Sequence, residues 1–131
     1  MEEETTKLSF TLGGQVPAQK NSKTVAYNRA TGKPFIMSND NVRVWKVATA
    51  YDIPAGSVIH GSVEVEITLW NKDARKRDID NMATSILDLL KNNGVIDDDN
   101  CFIVKKLIVI FGGVDREQPR AEINIKSIDR P

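Results

Sequence analysis

Three stretches of the chain alternate between apolar and polar residues, and this period of two predicts half-buried β-strands. The alternation covers residues 7–12, 62–70 and 120–127. A largely apolar run at 102–111, interrupted by Lys105 and Lys106, predicts a fourth strand, which we expect to be long and buried. Four such strands are enough to build one small sheet.

A β-hairpin is predicted between the first strand and the second. Segments 24–27 and 33–38 have strand-like composition, and they flank a five-residue loop at 28–32. Gly32 at the end of this loop is expected to adopt a positive φ, as hairpin loops of this length require.

Two helices are predicted from a period of 3.6 residues. The first begins near Ser38 or Asn39 and ends before Pro54, and its apolar stripe contains Val44, Trp45, Ala48 and Tyr51. The second covers about 79–92, with the apolar face Ile79, Met82, Ala83, Ile86, Leu89 and Leu90. The element order predicts an α/β (α+β) fold in which two helices cover one face of a small mixed sheet.

The length suits a single domain over residues 1–131, with residues 1–6 and 128–131 expected to be frayed. No apolar run approaches the roughly 20 residues of a membrane helix, and the acidic N-terminus does not resemble a signal peptide. The single cysteine, Cys101, allows no internal disulfide, so we expect a cytoplasmic protein. Cys101 itself is interpreted as a small core residue.

Charge is balanced overall, with 18 basic and 18 acidic residues, but it is unevenly distributed. The basic residues gather in two segments and are candidates for contact with the DNA backbone. These candidates are Lys20, Lys23, Arg29, Lys33, Lys72, Arg75 and Lys76. Taken alone, either segment is equally well explained as a solvated loop.

Carboxylates lie at both ends of the second predicted helix. Asp78 and Asp80 precede or begin it, and the run 97–99 follows it. A 14-residue helix is about 21 Å long, whereas five or six extended residues reach about 18 Å. A loop that folds back along the helix would therefore bring Asp99 to Asp80. Carboxylates without His or Cys favour Mg²⁺ or Mn²⁺, although each cluster alone also fits a helix cap or a solvated turn.

The chain resembles the RusA-type Holliday junction resolvases in four short segments: RDIDN at 77–81, DLL at 88–90, NGVI at 93–96 and DD at 98–99. An upstream loop, VPAQKN at 16–21, also resembles the family. The similarity spans roughly residues 8–126, and its specific part is 77–99.

This resemblance implies a small homodimer that resolves four-way (Holliday) DNA junctions by paired, symmetric, Mg²⁺-dependent nicks leaving 5′-phosphates. It implies metal ligands at Asp78, Asp80 and Asp99. Arg77 would contact phosphate or stabilise developing charge, Asp98 would orient the site, and Asn81 would hold the loop by hydrogen bonding.

The chain departs from the family at one position. The family usually carries a lysine four residues after the second aspartate of its D-x-D motif, and this chain has Thr84 there. Either a lysine elsewhere (Lys76, Lys91, Lys105 or Lys106) would replace the missing one, or Thr84, one helical turn from Asp80, would hydrogen-bond to it as a weaker substitute. Two alternatives stay open: a weak or inactive module that binds branched DNA, and a general DNase without junction preference.

Overall fold

The computed structural model describes residues 5–18, 23–38 and 40–128. Within them the elements are β1 Lys7–Gly13, β2 Lys23–Tyr27, β3 Pro34–Ser38, α1 Asp40–Ala50, β4 Val63–Asn71, α2 Ile79–Asn92, β5 Val104–Val114 and β6 Arg120–Ser127. The predicted order of elements is confirmed. No helix in the described ranges is long and apolar enough to cross a membrane.

Four strands form one mixed sheet in the order β1-β6-β4-β5. β4 lies in the middle, antiparallel to β6 and parallel to β5, and β1 is antiparallel to β6. β2 and β3 form a separate antiparallel hairpin, and Gly32 at its turn has φ 70°, as predicted. The mixed sheet and the α+β class therefore agree with the expected fold.

The core lies on one face of the sheet because the strands alternate. On β4 every second residue from Val63 to Leu69 is fully buried, while Glu64 and Glu66 between them are half-buried. The buried strand residues share one cluster with Trp45 of α1 and with the apolar face of α2. Both helices thus cover the same face, and the opposite face is mostly polar on β4 and β6.

Four expectations about burial are wrong. At the start of α2, Ile79 of the predicted apolar face is 40% exposed. On α1 the buried residues are Val42, Trp45 and Thr49, whereas Val44 and Tyr51 are exposed. The helix is apolar on two sides, so periodicity alone selected the wrong stripe. β5 is an edge strand with several exposed apolar side chains rather than a buried strand. Cys101 is exposed in the turn before β5.

The inner residues of the termini are hydrogen-bonded. Thr6 accepts a bond from the Ser127 amide at 2.9 Å, and the Ile128 amide donates to the Ser62 carbonyl at 2.9 Å. The remaining residues of the segments predicted to fray, apart from Thr5, lie outside the described part of the chain.

Candidate metal and nucleic-acid site

Two exposed carboxylates at the start of α2 each accept a hydrogen bond from a buried asparagine. Asp78 occupies the N-cap, yet its carboxylate makes no capping hydrogen bond to the helix backbone. Instead, Asn81 Nδ2 donates to Asp78 Oδ2 at 3.2 Å, and the Asn81 amide donates to Asp80 Oδ1 at 2.9 Å. Asn81 is 8% exposed, whereas both aspartates are exposed. Asn81 therefore orients two carboxylates that remain open to solvent.

The segment 72–77, here called the basic loop, connects β4 to this turn. Asp73 organises it, because its Oδ1 accepts hydrogen bonds from the Arg75 amide at 3.0 Å and from Arg77 Nη1 at 2.8 Å. The Arg77 bond, followed by the Arg75 amide, lowers the pKa of Asp73. Arg77 also donates to the Arg75 carbonyl at 3.3 Å. Arg77 therefore helps to shape the loop, and its contact with phosphate stays a prediction.

The glycine-containing segment 13–18 is hydrogen-bonded to the end of β4, to the basic loop and to α2. Gln15 Oε1 accepts the Lys72 amide at 2.8 Å, and Gln15 Nε2 donates to Asn71 Oδ1 at 3.0 Å. From α2, the fully buried Ser85 donates to the Pro17 carbonyl at 2.7 Å. These bonds join β1, the end of β4 and α2 around the basic loop.

In the second acidic cluster, residues 97–99, the carboxylates already accept hydrogen bonds from other groups of the same chain. Asp97 accepts a bond from the Gly61 amide at 2.8 Å and contacts His60 Nδ1 at 2.8 Å, and both interactions lower its pKa. Asp98 accepts the Asp99 amide at 2.7 Å, which is the main reason that its pKa is also lowered. This run therefore forms an ordered turn before β5.

Asp99 lies at the far end of α2 from the other two predicted ligands. Its Oδ1 is 3.6 Å from Lys91 Nζ in the last turn of the helix. The helix has 14 residues, so its two ends are about 21 Å apart. Within the described ranges no three acidic, histidine or cysteine side chains are grouped closely enough to hold a metal ion. The predicted fold-back within one chain is therefore wrong, because the 97–99 turn leads directly into β5 instead.

The start of α2 nevertheless fits a hard divalent cation. Mg²⁺ typically takes one or two carboxylates directly and keeps several waters. Asp78 and Asp80 offer two exposed carboxylates whose orientation is fixed by one neighbour. A cation held there would lack the third predicted carboxylate of its own chain.

The predicted DNA contacts fall into two places. Lys72, Arg75 and Lys76 are exposed beside Asp78, and Arg29 and Lys33 are exposed near the hairpin turn. Lys23 begins β2. Lys20 lies outside the described residues.

Thr84 makes the predicted hydrogen bond one turn from Asp80, but to its backbone. Thr84 Oγ1 donates to the Asp80 carbonyl oxygen at 3.0 Å. Among the candidate replacement lysines, Lys91 pairs with Asp99 and Lys106 is 3.4 Å from Glu64. Lys76 lines the same cavity as Asp78.

Sequence reasoning missed the contributions of Gln15 and Ser85. Gln15 follows Gly13 and Gly14, a pair that signals a loop but not what the next side chain contacts. Ser85 is polar and is not part of the predicted apolar face of α2, yet it is fully buried and donates to the Pro17 carbonyl. Both contacts join segments more than fifty positions apart, which no local pattern indicates.

Comparison with known proteins identifies the class. A family model described as Endodeoxyribonuclease RusA matches residues 14–126. The chain therefore belongs to the endodeoxyribonuclease RusA family. It is also similar to the crossover junction endodeoxyribonuclease RusA of Aquifex aeolicus (strain VF5), with 38% identity over 69 residues, 52% of each chain. The chain thus matches about half the length of that curated relative.

Proposed function

We propose that this protein is a divalent-metal-dependent endodeoxyribonuclease that resolves four-way (Holliday) DNA junctions by paired symmetric nicks. The observation that carries the proposal is the start of α2, where an N-cap carboxylate caps no backbone amide and Asn81 orients it together with Asp80. Membership of the RusA family and the name of the Aquifex relative support the same reaction.

The proposed cofactor is Mg²⁺, with Mn²⁺ as an acceptable substitute, because the available donors are carboxylate oxygens. Asp78 and Asp80 would hold the cation, and Asn81 would steady one oxygen of each, through its side chain for Asp78 and its backbone amide for Asp80. When bound, the cation supplies Lewis-acid stabilisation of the charge that develops on the phosphate. Hydrolysis then leaves a 5′-phosphate and a 3′-hydroxyl.

The basic loop holds the strand that is cut. Lys72, Arg75 and Lys76 are exposed next to Asp78, so they attract phosphates on either side of the scissile bond. Arg77 acts mainly by keeping this loop in shape through Asp73. Such contacts position DNA without reading its sequence.

The active form is proposed to be a homodimer that pairs through β5. This edge strand has 11 residues, hydrogen-bonds only β4 among the described strands, and exposes apolar side chains on both faces. Leu107 and Phe111 lie beside β4 residues of the helix-covered face, and Ile110 lies on the other face. A long, exposed apolar edge strand can pair with a strand of another chain. The proposed partner is β5 of a second copy, which lies antiparallel to the first across a twofold axis.

This pairing supplies the missing carboxylate from the second copy. Antiparallel strands place the start of one β5 beside the end of the other. Asp99 precedes the start of β5, while Asp115, just after its end, donates its amide to the Asn71 carbonyl where the basic loop begins. Asp99 of one copy is thereby carried toward Asp78 and Asp80 of the other, and each dimer has two equivalent sites.

The direct test is a nicking assay on a synthetic four-way junction with labelled strands and increasing Mg²⁺. We expect symmetric nicks from the wild type and almost none from Asp80→Asn, with unlabelled linear duplex competing poorly. Absence of nicking by the wild type, or equal nicking by the variant, would contradict the proposal. As an enzyme acting on chromosomal or phage DNA, the protein is proposed to work in the cytoplasm.

A further inference from the structure

An open cavity of about 810 Å³ adjoins the acidic pair. Its walls come from the segment 13–18, from α1 and from the basic loop, and both Asp78 and Asn81 line it. The volume lies within the roughly 300–1,000 Å³ of typical ligand sites. A ligand in this cavity would therefore lie directly beside the strand that the proposed enzyme cuts.

The cavity joins an apolar wall to a cationic rim. Val44 and Ala48 are exposed on α1 and line the wall, opposite Pro17. Lys72, Arg75 and Lys76 line the rim, and the described residues provide no ion pair for any of the three. A nucleotide fits this combination, because its flat base can pack against the apolar wall and its phosphate can contact the cationic rim.

Trp45 adds an independent sign that the cavity is completed by a ligand. It lines the cavity and is 7% exposed, and its indole Nε1–H is buried without an acceptor in the described part of the chain. Buried donors are nearly always paired, so such an orphan calls for an explanation. A small movement of the ring would let a carbonyl oxygen of a bound base accept this hydrogen bond.

We propose that this cavity receives one nucleotide of branched DNA, extruded from its stack next to the scissile phosphate. The inference rests on the proposed function, because it assumes that the scissile strand passes Asp78. Extruding a base costs a few kcal/mol in a duplex and less where stacking is already interrupted, as at a crossover. The apolar wall takes the base, and the lysines and arginine of the rim hold its phosphates. This arrangement favours branched over linear DNA.

The test uses junctions carrying 2-aminopurine, whose fluorescence rises when it leaves the stack, at successive positions around the crossover. Binding is measured by anisotropy in EDTA, where no metal is available for cleavage. Ala48→Trp and Val44→Trp each fill the cavity from an exposed site on α1. Val47→Trp is the matched control, since Val47 is 65% exposed on the same helix and does not line the cavity.

We expect a several-fold rise in fluorescence at one position beside the crossover for the wild type and Val47→Trp. Neither filled variant should give this rise at saturating protein. No rise at any position despite saturated binding, or equal rises in all four proteins, overturns the inference. Nicking in Mg²⁺ is measured separately. Nicking without a fluorescence rise contradicts only the proposal that the cavity binds a nucleotide. A fluorescence rise without nicking contradicts only the proposed nuclease activity. Absence of junction binding overturns both.

Discussion

The two ends of α2 carry similar numbers of carboxylates in opposite states. At the start, Asp78 and Asp80 are exposed, and among the described residues their carboxylates accept hydrogen bonds from the Asn81 side chain and the Asn81 backbone amide. Beyond the end, Asp97 is bonded to Gly61 and His60, and Asp99 is paired with Lys91. The carboxylates at the start of α2 are held in place by hydrogen bonds but have no cationic partner among the described residues. Most of those beyond its end already accept hydrogen bonds or form an ion pair.

This difference teaches that acidic composition alone does not identify a metal site. A carboxylate that already accepts backbone and cationic donors gains less from a bound cation than one that faces solvent beside another carboxylate. The pair at the helix start also lies next to exposed cations that can attract a polyanion. For ligands supplied within one chain, the useful criterion is therefore which acids the folded chain leaves without a cationic partner. Asp99, which is paired with Lys91, would have to exchange that lysine for the cation.

The largest expected effect separates the two clusters directly. Asp78→Asn should lower junction nicking by at least about a hundredfold, since even the loss of a residue that supports a metal ligand typically costs 10–100-fold. Asp97→Asn should change nicking by no more than about threefold, as surface substitutions usually do. Initial nicking rates, with circular dichroism to check folding, measure the ratio. Equal losses of nicking in both variants would contradict the claim that the two ends of α2 differ in their contribution to activity.

A smaller effect is expected from the Asn81 side chain, which donates to Asp78 Oδ2. The backbone amide of residue 81, which donates to Asp80 Oδ1, is retained in an alanine variant. Asn81→Ala should raise the Mg²⁺ concentration needed for half-maximal nicking by roughly 10–100-fold, with activity partly recovered at high Mg²⁺. Asn92→Ala, an exposed change at the other end of α2, is the control. If Asn81→Ala lowers the maximal rate without changing the Mg²⁺ requirement, Asn81 does not position the ligands.

Lys91 tests the role of Asp99 at the far end of α2, because the two side chains form an ion pair. It competes with a cation for Asp99, and an exposed ion pair of this kind is worth roughly 0–1 kcal/mol. Lys91→Ala should therefore lower the half-saturating Mg²⁺ concentration by up to about fivefold. Lys46→Ala, which removes a different partner of α2 at Asp88, should leave that concentration unchanged. A raised requirement in Lys91→Ala would show that the lysine assists the site.

The smallest effect concerns acid stability of the basic loop. Arg77 lowers the pKa of Asp73, so the folded state favours the ionised carboxylate. The stabilisation is present above the ordinary aspartate pKa of about 3.9 and is lost as pH falls through the lowered pKa. Urea unfolding should show Asp73→Asn less stable than the wild type at neutral pH, with the difference shrinking in acid. Glu117→Gln, a change at an exposed acid for which the described residues provide no ion pair, is the matched control.

Local features were the predictable part of this fold. The hairpin followed from Gly32 and its flanking strands, and the apolar face of α2 followed from its spacing. These elements depend on residues close together in sequence, where periodicity and turn chemistry decide. The acidic pair and the basic loop were found for the same reason, since they form one continuous segment.

Long-range relations were not predictable. The apolar run of β5 has the same pattern whether a helix or another strand covers it, so its position at the edge was missed. The return of Asp99 toward Asp80 was judged by reach alone, but parallel pairing of β5 with β4 directs residues 97–99 to the opposite end of the sheet. Gln15 was missed because its partners at Asn71 and Lys72 are distant in sequence.

The central claim is that one copy's Asp78 and Asp80 act with the other copy's Asp99. Mixed dimers test it most directly: Asp80→Asn and Asp99→Asn chains with different affinity tags are co-expressed and purified through both tags. Each mixed dimer should then contain one site with all three carboxylates and one site with two replaced. We predict that it nicks one strand of a four-way junction, whereas either parent homodimer is inactive. A mixed dimer as inactive as its parents would contradict the account.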